Sequence, residues 1–503
     1  MGFVIKSSMK SRISLTIQII ALAIFLAVVS FSCKDDYTTG STYQLRFSTD
    51  TIAFDTIFSK VLTSTRIAKV YNTSEENVLI ESISLLSESS CFQINVNGMS
   101  GKQFTNQELK SGDSLFIFIQ AFPPENGINS PLHIQGKIEF RYNNQIQQIE
   151  LSAFGQDVNW CKKLTLTENS VWDSIKPYLV YDSLVINEGV TLEIKEGTSV
   201  YMHHDATIVV KGNIIANGTS LHPILIRGDR NDIVTDKISY DQLSNQWGGI
   251  FFQSTSTNNQ FVNVNIRNGK YGFVVDSSEI NSSEINSSEK RLTIGNCHIH
   301  NMQQQTLQAT YANIYAYNSL FTNGENGCVI LQGGEYLFNH CTIAGYEKGA
   351  GIYNNALTIS NKSLWKDEHP LPIASATFNN CIIYGSSSEE LKLLYSDDIK
   401  TLQVFFNHTL IKSKNIPEEF VSEKYFKDSY ISEDPLFSII NTSDRLFDFH
   451  LNDLDVARKL GDINIIMKFP ECQTDKDGIV RPTDTLPDLG AYQYVLPIDS
   501  TET

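Results

Sequence analysis

A short pattern recurs six times between Phe261 and Ser413, and it constrains the fold more than any other feature of the chain. Each copy has an apolar residue, one spacer, an Asn or His, a small residue, and an Ile or Phe two places later. The small residues occupy positions 264, 297, 319, 341, 381 and 409. Repeats of this length are typical of folds in which each unit buries its apolar face against its neighbours.

The spacing inside each copy predicts two strands joined by a bend. Buried positions two residues apart fit one strand, but a step of three would turn the core side chains outward. We therefore predict a corner immediately before the small residue, where Asn and His readily adopt left-handed backbone conformations. The corner residues include Asn263, Asn296, Asn318 and Asn380. Copies 22 residues apart leave room for three short strands and three turns in each coil.

The small residues define one interior column in the predicted solenoid. Cys297, Ser319, Cys341 and Cys381 share this inward position, so we expect them to stack in consecutive coils. A free Cys packs as a small apolar group, which predicts a structural role for these thiols. No Cys-x-x-Cys or Cys/His zinc spacing occurs, and Asp475-x-Asp-Gly supplies only two of the acids that a calcium loop needs. The sequence therefore predicts no metal site and no cofactor.

The copies resemble the coils of right-handed parallel β-helix proteins, and the segment Gly327–Ile343 matches them best. The resemblance covers about Leu184 to Tyr494. It implies an all-β fold, with a right-handed parallel β-helix (solenoid) at residues 184–430 and a C-terminal capping segment at 431–503. It implies no activity, since this family holds lyases, hydrolases, adhesins and non-enzymes. Residues 43–158 read as short strands with turns, similar to immunoglobulin-like domains, and predict a small antiparallel β-sandwich.

The first residues predict export. Lys6, Lys10 and Arg12 precede an apolar run, which is typical of a secretory signal peptide at residues 1–32. The segment Val29–Cys33 resembles a bacterial lipobox, which implies that Cys33 receives lipid after cleavage. Lys34-Asp35-Asp36 resembles the export tag of surface lipoproteins in some Gram-negative bacteria. We expect a tether at 33–42 and a protein held by lipid at the outer membrane, facing the cell exterior.

The net charge of the chain excludes some classes of binding partner. Removal of residues 1–32 takes away three basic and no acidic residues, leaving 36 Lys plus Arg against 56 Asp plus Glu, a net charge of −20. This balance argues against nucleic acid. It also means that an acidic polysaccharide would need calcium or a local basic patch in order to bind.

Candidate binding residues lie at outward positions of the repeat. Arg267, His298 and His300 are predicted neighbours, and a cation beside imidazoles suits carboxylate binding or proton abstraction next to a carboxylate. Tyr315 is predicted to point outward as a stacking platform for sugar rings. Trp365 lies on a predicted inserted loop, and loops on rigid scaffolds often carry binding residues.

The sequence contains no recognisable set of catalytic residues. A glycoside hydrolase needs paired carboxylates, and no outward Asp pair occurs in the repeat core. We therefore expect a lipid-anchored surface protein that binds or presents an extracellular glycan, with no catalysis assigned to it. Two alternatives remain at this point: a polysaccharide lyase or glycoside hydrolase on the same scaffold, and a structural or adhesive surface protein.

Overall fold

The computed structural model describes residue 37 and residues 43–235, 238–276, 290–364, 369–431, 433–454 and 456–496. The chain divides into two compact units, one made of residues 1–125 and 133–155, the other of 126–132 and 156–503. The predicted signal peptide and Cys33 lie outside the described residues. Within the described residues, no helix has the length and apolar character required to cross a membrane.

The first unit is an antiparallel β-sandwich of two five-stranded sheets. The front sheet contains, in spatial order, Arg46–Phe47, Arg66–Tyr71, Ser114–Ala121, Phe92–Val96 and Met99–Gly101. The back sheet contains Thr51–Phe58, Gln145–Gln156, Leu132–Tyr142, Val78–Ser87 and Gln103–Leu109. Alternate residues of each strand enter a shared core, as in Ser114–Ala121, where Leu115, Ile117 and Ile119 are buried. This period of two is the pattern of strands with one buried face.

The second unit is built on 26 strands that pair in parallel. Each coil passes through three faces, here named sheets A, B and C. The strands Asn159–Leu166 and Tyr178–Ile186 run through the first corners between A and B. The all-β prediction of a parallel β-helix preceded by an antiparallel sandwich is confirmed.

The strand bounds follow the coils in register. Sheet A continues with Ser199–Met202, Ile224–Gly228, Val264–Arg267, His298–Met302, Leu320–Gly324, Thr342–Gly345, Ile382–Gly385, Leu410–Ile411 and Tyr430–Ile431. Sheet B contains Thr207–Val210, Gly249–Phe252, Phe273–Asp276, Leu357–Ser360 and Leu391–Leu394. Sheet C contains Ser170–Trp172, Thr191–Ile194, Asn213–Asn217, Asn259–Val262, Leu292–Gly295, Ile373–Asn379, Leu402–Asn407 and Phe426–Lys427. The long strands Leu307–Tyr317 and Val329–Asn339 pass through both B and C.

The parallel sheet begins earlier than the sequence indicates. We expected the first coil near Leu184, but Asn159–Leu166 already pairs in parallel with Tyr178–Ile186. The alternation of Trp160, Cys161 and Lys162 was the available signal, since Cys161 is buried between two outward residues. The first coils therefore lie outside the range that the family resemblance covered.

Left-handed corners shape the coils. The six corner residues have φ values between 47° and 54°, and they are Asn263, Asn296, Asn318, His340, Asn380 and His408. Inside the corner, the Cys297 amide donates to Ser319 Oγ at 3.1 Å, and the Cys341 amide lies 3.4 Å from Cys381 Sγ. These residues are fully buried, and the cysteines are free thiols. Burial, followed by the contact with Cys381, raises the pKa of Cys341 well above its ordinary value.

The remaining elements are short. An antiparallel hairpin joins Ile233–Thr235 to Ile238–Ser239, and a second joins Phe437–Asn441 to Leu446–Leu451. An α-helix covers Ile463–Lys468, and its N-cap Asp462 accepts a hydrogen bond from the Asn464 amide. Turns of 3₁₀-helix lie at Tyr240–Gln242, Ile399–Thr401, Glu418–Phe420 and Pro470–Cys472.

Candidate functional site

The structure brings Arg267, His298 and His300 together on the outer side of sheet A. Arg267 pairs in register with His300, and His298 pairs with Asn265. The two imidazole rings stack with centroids 4.1 Å apart. His300 Nε2 lies 3.2 Å from Asn265 Oδ1, and Arg267 Nε donates to Asp241 Oδ1 at 2.7 Å. The predicted neighbours are therefore in contact.

These residues do not form an open basic surface, which corrects the sequence expectation. The ring of Phe449 meets the His298 ring edge-on, with centroids 6.4 Å apart. Burial is the main cause that lowers the pKa of His300 to about 3, and it also lowers the pKa of His298 well below its ordinary value. The lowered pKa values favour the neutral form of both imidazoles. The repeat gave their outward direction but could not show that another segment packs over them.

Tyr315 is also covered. Its side chain is 5% exposed, its hydroxyl donates to Glu471, and its ring packs against Phe469 with centroids 6.0 Å apart. Burial and the Glu471 hydrogen bond raise the pKa of Tyr315 far above its ordinary value. Tyr315 is therefore a packing residue rather than an exposed platform. Trp365 lies outside the described residues.

The covering segment is the C-terminal chain, residues 437–494, here named the clasp. Its Phe437, Phe449 and Leu489 form one apolar cluster with outward residues of sheet A, which include Leu320, Ala344, Ile382 and Leu410. The apolar character of these outward positions was the signal in the sequence for a covered face. We expected residues 431–503 to close the last coil, but the clasp lies along the side of several coils.

Polar contacts tie the clasp to the corner residues. Asp462 and Asn380 exchange two hydrogen bonds, one of 2.7 Å from the Asp462 amide and one of 3.0 Å from Asn380 Nδ2. Arg481 is fully buried, and its Nη2 donates to Asn318 Oδ1 at 3.1 Å and to the Gly490 carbonyl at 3.1 Å. The predicted corner residues thus serve two purposes, because they bend the coil and also receive the clasp.

A charged cluster stabilises the clasp internally. His450 Nδ1 lies 2.5 Å from Asp448 Oδ1, and its Nε2 lies 2.9 Å from Asp477 Oδ2. The Tyr492 ring stacks on the imidazole with centroids 3.8 Å apart. Hydrogen bonds to Asp448 and then Asp477 raise the pKa of His450 to about 9. His450 is therefore a cation that joins the hairpin to the turn at Asp477.

An uncovered aromatic surface remains on sheet A in the first coils. We name Trp160, Tyr181, Tyr201, His203 and Asp229 the open ladder. Trp160 is 42% exposed, and its ring lies 5.6 Å from Tyr181, measured between centroids. Tyr181 stacks on His203 at 3.8 Å, and His203 Nδ1 lies 2.6 Å from Asp229 Oδ2. Consecutive coils thus present an indole, a phenol, an imidazole and a carboxylate in sequence.

Two arginines lie beside the open ladder. Tyr201 pairs in register with Arg227, whose guanidinium lies 6.0 Å from the Tyr201 ring centroid. Asp241 bridges Arg227 and Arg267 at 3.0 and 2.7 Å. Burial alone would raise the pKa of Asp241, but the hydrogen bond and charge of Arg267, with the charge of Arg227, lower it. The Asp241 carboxylate therefore stays ionised and holds both guanidinium groups in place.

Carboxyls with raised pKa values lie elsewhere. Burial raises the pKa of Glu347, Glu390 and Asp475. Glu390 is fully buried and accepts from Lys348 Nζ at 2.9 Å, while Glu347 pairs with Arg445 at 3.1 Å. Asp475 accepts from the Ile479 and Gln493 amides. Within the described part of the chain, no group of three His, Cys, Asp or Glu side chains has the arrangement of a metal site.

Two of the solved structures that match the chain are distant from it in sequence. No family model matches the chain. No curated protein matches it either. A family 123 glycoside hydrolase from Clostridium perfringens is 11% identical over 22% of this chain, with a TM-score of 0.16. The match spans 25% of the hydrolase chain.

A second solved structure matches over more of the chain. The catalytic domain of a GH87 α-1,3-glucanase, in complex with tetrasaccharides, is 10% identical over 75% of this chain and 92% of its own. Its TM-score is 0.20. Scores this low support no argument about activity.

Proposed function

We propose that this protein is a lipid-anchored surface protein that binds an extracellular glycan without catalysis, and that the open ladder is its binding surface. The observation that supports the proposal most directly is the partly exposed row of the Trp160, Tyr181 and His203 rings, with Asp229 at its end. Aromatic rings contribute large apolar faces, and a few polar groups fix the orientation of a ligand. Both kinds of group are present on one face.

The spacing of the ladder suits an extended chain. Parallel strands lie about 4.8 Å apart, so the three steps from the coil of Trp160 to that of Asp229 span roughly 14 Å. A polysaccharide lying across the coils would meet one side chain of the ladder at each step. The strands hold these side chains in position, which keeps the entropic cost of binding small.

Binding is favoured over hydrolysis because of where the carboxyls of raised pKa lie. A glycoside hydrolase needs a carboxyl of raised pKa beside its substrate. Glu347, Glu390 and Asp475 have raised pKa values, but each is bonded inside the fold. Asp241, near the ladder, has a lowered pKa and is held between two arginines.

The decisive experiment is affinity gel electrophoresis of the full chain through a panel of soluble polysaccharides. We expect retardation by at least one polysaccharide. Trp160→Ala and Tyr181→Ala should each weaken that interaction about tenfold or more, since aromatic anchors dominate many interfaces. Phe251→Ala is the matched control, because Phe251 is an outward aromatic residue on sheet B that pairs edge-on with Tyr271.

Two outcomes would contradict the proposal. Equal retardation of the wild-type chain, Trp160→Ala and Tyr181→Ala would remove the ladder as the binding surface. New reducing ends or unsaturated sugars in the same incubations, absent from a heat-inactivated sample, would assign catalysis and favour the lyase or hydrolase alternative.

The lipid anchor is a separate part of the proposal. We propose that Cys33 carries the lipid and that the outer membrane is the partner of the anchor. Two or more acyl chains hold a protein firmly at a bilayer, since each buried methylene contributes about 0.8 kcal/mol. Metabolic labelling with an alkyne fatty acid in a Gram-negative host should label the wild-type chain and leave Cys33→Ser unlabelled. Label on Cys33→Ser would reject this site.

A further inference from the structure

The front sheet of the β-sandwich has an unusual outer face. Residues opposite one another in an antiparallel pair point to the same side of the sheet. One row contains Ile67, Phe118, Asn95 and Ser100, and the next contains Thr65, Gln120, Gln93 and Lys102. On the same face, beyond the first row, Lys69 lies opposite Phe116, and Arg46 lies opposite Tyr71. We name this surface the front face.

Apolar side chains are exposed on the front face. Phe116 and Phe118 are each 37% exposed, and Ile67 is 50% exposed. The two phenyl rings lie nearly parallel, with centroids 6.5 Å apart. Grouped apolar side chains in water are unfavourable, and such patches often mark sites of interaction. The rings therefore need an explanation beyond the stability of the sandwich.

The front face is basic in an acidic protein. Its outward side chains include Arg46, Lys69 and Lys102 and no carboxylate, whereas the whole chain has a formal net charge of −17. In the described part of the chain, none of the three cations forms an ion pair. Lys69 Nζ lies 4.8 Å from the Phe116 ring centroid and remains available to a second partner. Cations gathered in this way attract a negatively charged ligand toward one face.

A hollow lies where the amide row meets the aromatic row. It has a volume of about 650 Å³, and its lining includes Thr65, Gln93, Asn95, Lys102, Phe118 and Gln120. Gln93 lies directly opposite Gln120. Gln120 also lines the hollow, and its Nε2 donates to the Thr63 carbonyl at 3.3 Å. Amides and hydroxyls beside an aromatic ring provide donors, acceptors and a stacking surface for a polyhydroxylated ligand.

We propose that the front face binds an acidic polysaccharide, with sugar rings packed on Phe118 and Phe116 and sugar carboxylates or sulfates held by Lys69, Lys102 and Arg46. This is a binding site of its own, and it does not depend on the open ladder. Charge complementarity selects this occupant. A second copy of the same face would bring three cations against three cations, and like charges repel. A neutral glycan would leave the cations without a function.

The test compares polygalacturonate with neutral dextran, using the full chain and an immobilised polysaccharide in biolayer interferometry. We expect binding to polygalacturonate that weakens as salt rises, and little binding to dextran. Lys69→Gln/Lys102→Gln should weaken the binding at least tenfold, and Phe118→Ala should weaken it several-fold without altering its salt dependence. Lys110→Gln/Lys137→Gln is the matched control, since it removes the same charge from positions outside the front face.

The outcomes separate this site from the open ladder. Loss of polygalacturonate binding in Lys69→Gln/Lys102→Gln but not in Trp160→Ala supports the front face, whatever becomes of the ladder. Loss in Trp160→Ala alone would overturn the front-face proposal and leave the proposed function intact. If Lys69→Gln/Lys102→Gln and the control Lys110→Gln/Lys137→Gln lose polygalacturonate binding equally, overall charge explains the loss. That result would also overturn the front-face proposal. A front-face variant that changes the sedimentation coefficient but not polygalacturonate binding would instead assign the face to self-association.

Discussion

Sheet A meets two different environments along its length. In the first coils Trp160, Tyr181 and His203 are at least partly exposed to solvent, whereas Leu320, Ile382 and Leu410 lie under the clasp. The strands pair in parallel in both regions. The position of a residue in its coil sets the direction of its side chain. Contacts with the rest of the chain determine whether that side chain is exposed to solvent.

The largest expected effect comes from the covered region. Phe449→Ala removes a ring that packs on Phe437 at 5.2 Å and approaches Tyr346 and His298. Truncation of a buried Phe costs about 3–5 kcal/mol, and we expect this loss in the local stability of the clasp. Native-state hydrogen exchange should show it as faster exchange in Phe437–Asn441 and Leu446–Leu451. Unchanged protection there, with Phe405→Ala as the surface control, would mean that the clasp is not held by this cluster.

Arg481→Ala should have the next largest effect. The substitution leaves Asn318 Oδ1 and the Gly490 carbonyl without their buried donor. Hydrogen bonds from charged groups contribute about 1.5–3 kcal/mol, so we expect a loss of about 2 kcal/mol in urea denaturation. Arg230→Ala, which removes a partly exposed ion pair with Asp232, should cost about 1 kcal/mol or less. Equal losses of unfolding free energy in Arg481→Ala and Arg230→Ala would contradict the proposed difference between the covered and the open region.

Alkaline pH should loosen the clasp. The pKa of His450 is raised to about 9 in the folded protein, above the ordinary value of 6.5. A raised pKa contributes stability that is fully present below about pH 6.5 and is lost as the pH rises through about 9. The Tyr492 phenol stacked on His450 stays protonated over this range, because burial raises its pKa.

The measurement is a urea denaturation series from pH 6 to pH 9.5. The wild-type chain should lose stability across this range, and His450→Gln should flatten the dependence. A wild-type profile that coincides with that of His450→Gln would show that the imidazole does not carry the effect.

The smallest effect on stability belongs to the open ladder. Trp160→Ala removes a half-exposed ring and one stacking partner of Tyr181, so we expect a loss of about 1 kcal/mol or less. The same variant should lose most glycan binding. Thermal unfolding and affinity electrophoresis of one preparation test both statements, and a large drop in melting temperature would assign Trp160 to the fold.

The coil could be predicted from the sequence, but the segments that pack over it could not. Asn263, Asn296, Asn318 and Asn380 have the positive φ that the spacing of the repeat requires, because a corner is a local property of the backbone. The covering of Tyr315 depends on Phe469 and Glu471, which follow it by more than 150 residues without a repeat to connect them. The apolar residues Leu320, Ile382 and Leu410 at outward positions were the one local hint.

The front face of the sandwich was missed for a related reason. Phe116 and Phe118 alternate with Ile117 and Ile119, so the run Leu115–Ile119 is an uninterrupted apolar sequence. Periodicity cannot separate a strand buried on both faces from one with exposed aromatic residues. Only the pairing with Lys69 and Asn95 reveals that the rings belong to a basic surface.

The side-on position of the clasp also has a consequence during biosynthesis. A ribosome makes the coils first, so a nascent chain that ends near residue 431 already contains every coil strand but not the residues that cover Leu320, Ile382 and Leu410. Until translation finishes, this exposed apolar surface is free to bind chaperones or other unfinished chains. A premature stop codon that removes the clasp would therefore yield an adhesive, aggregation-prone product rather than a slightly shorter protein.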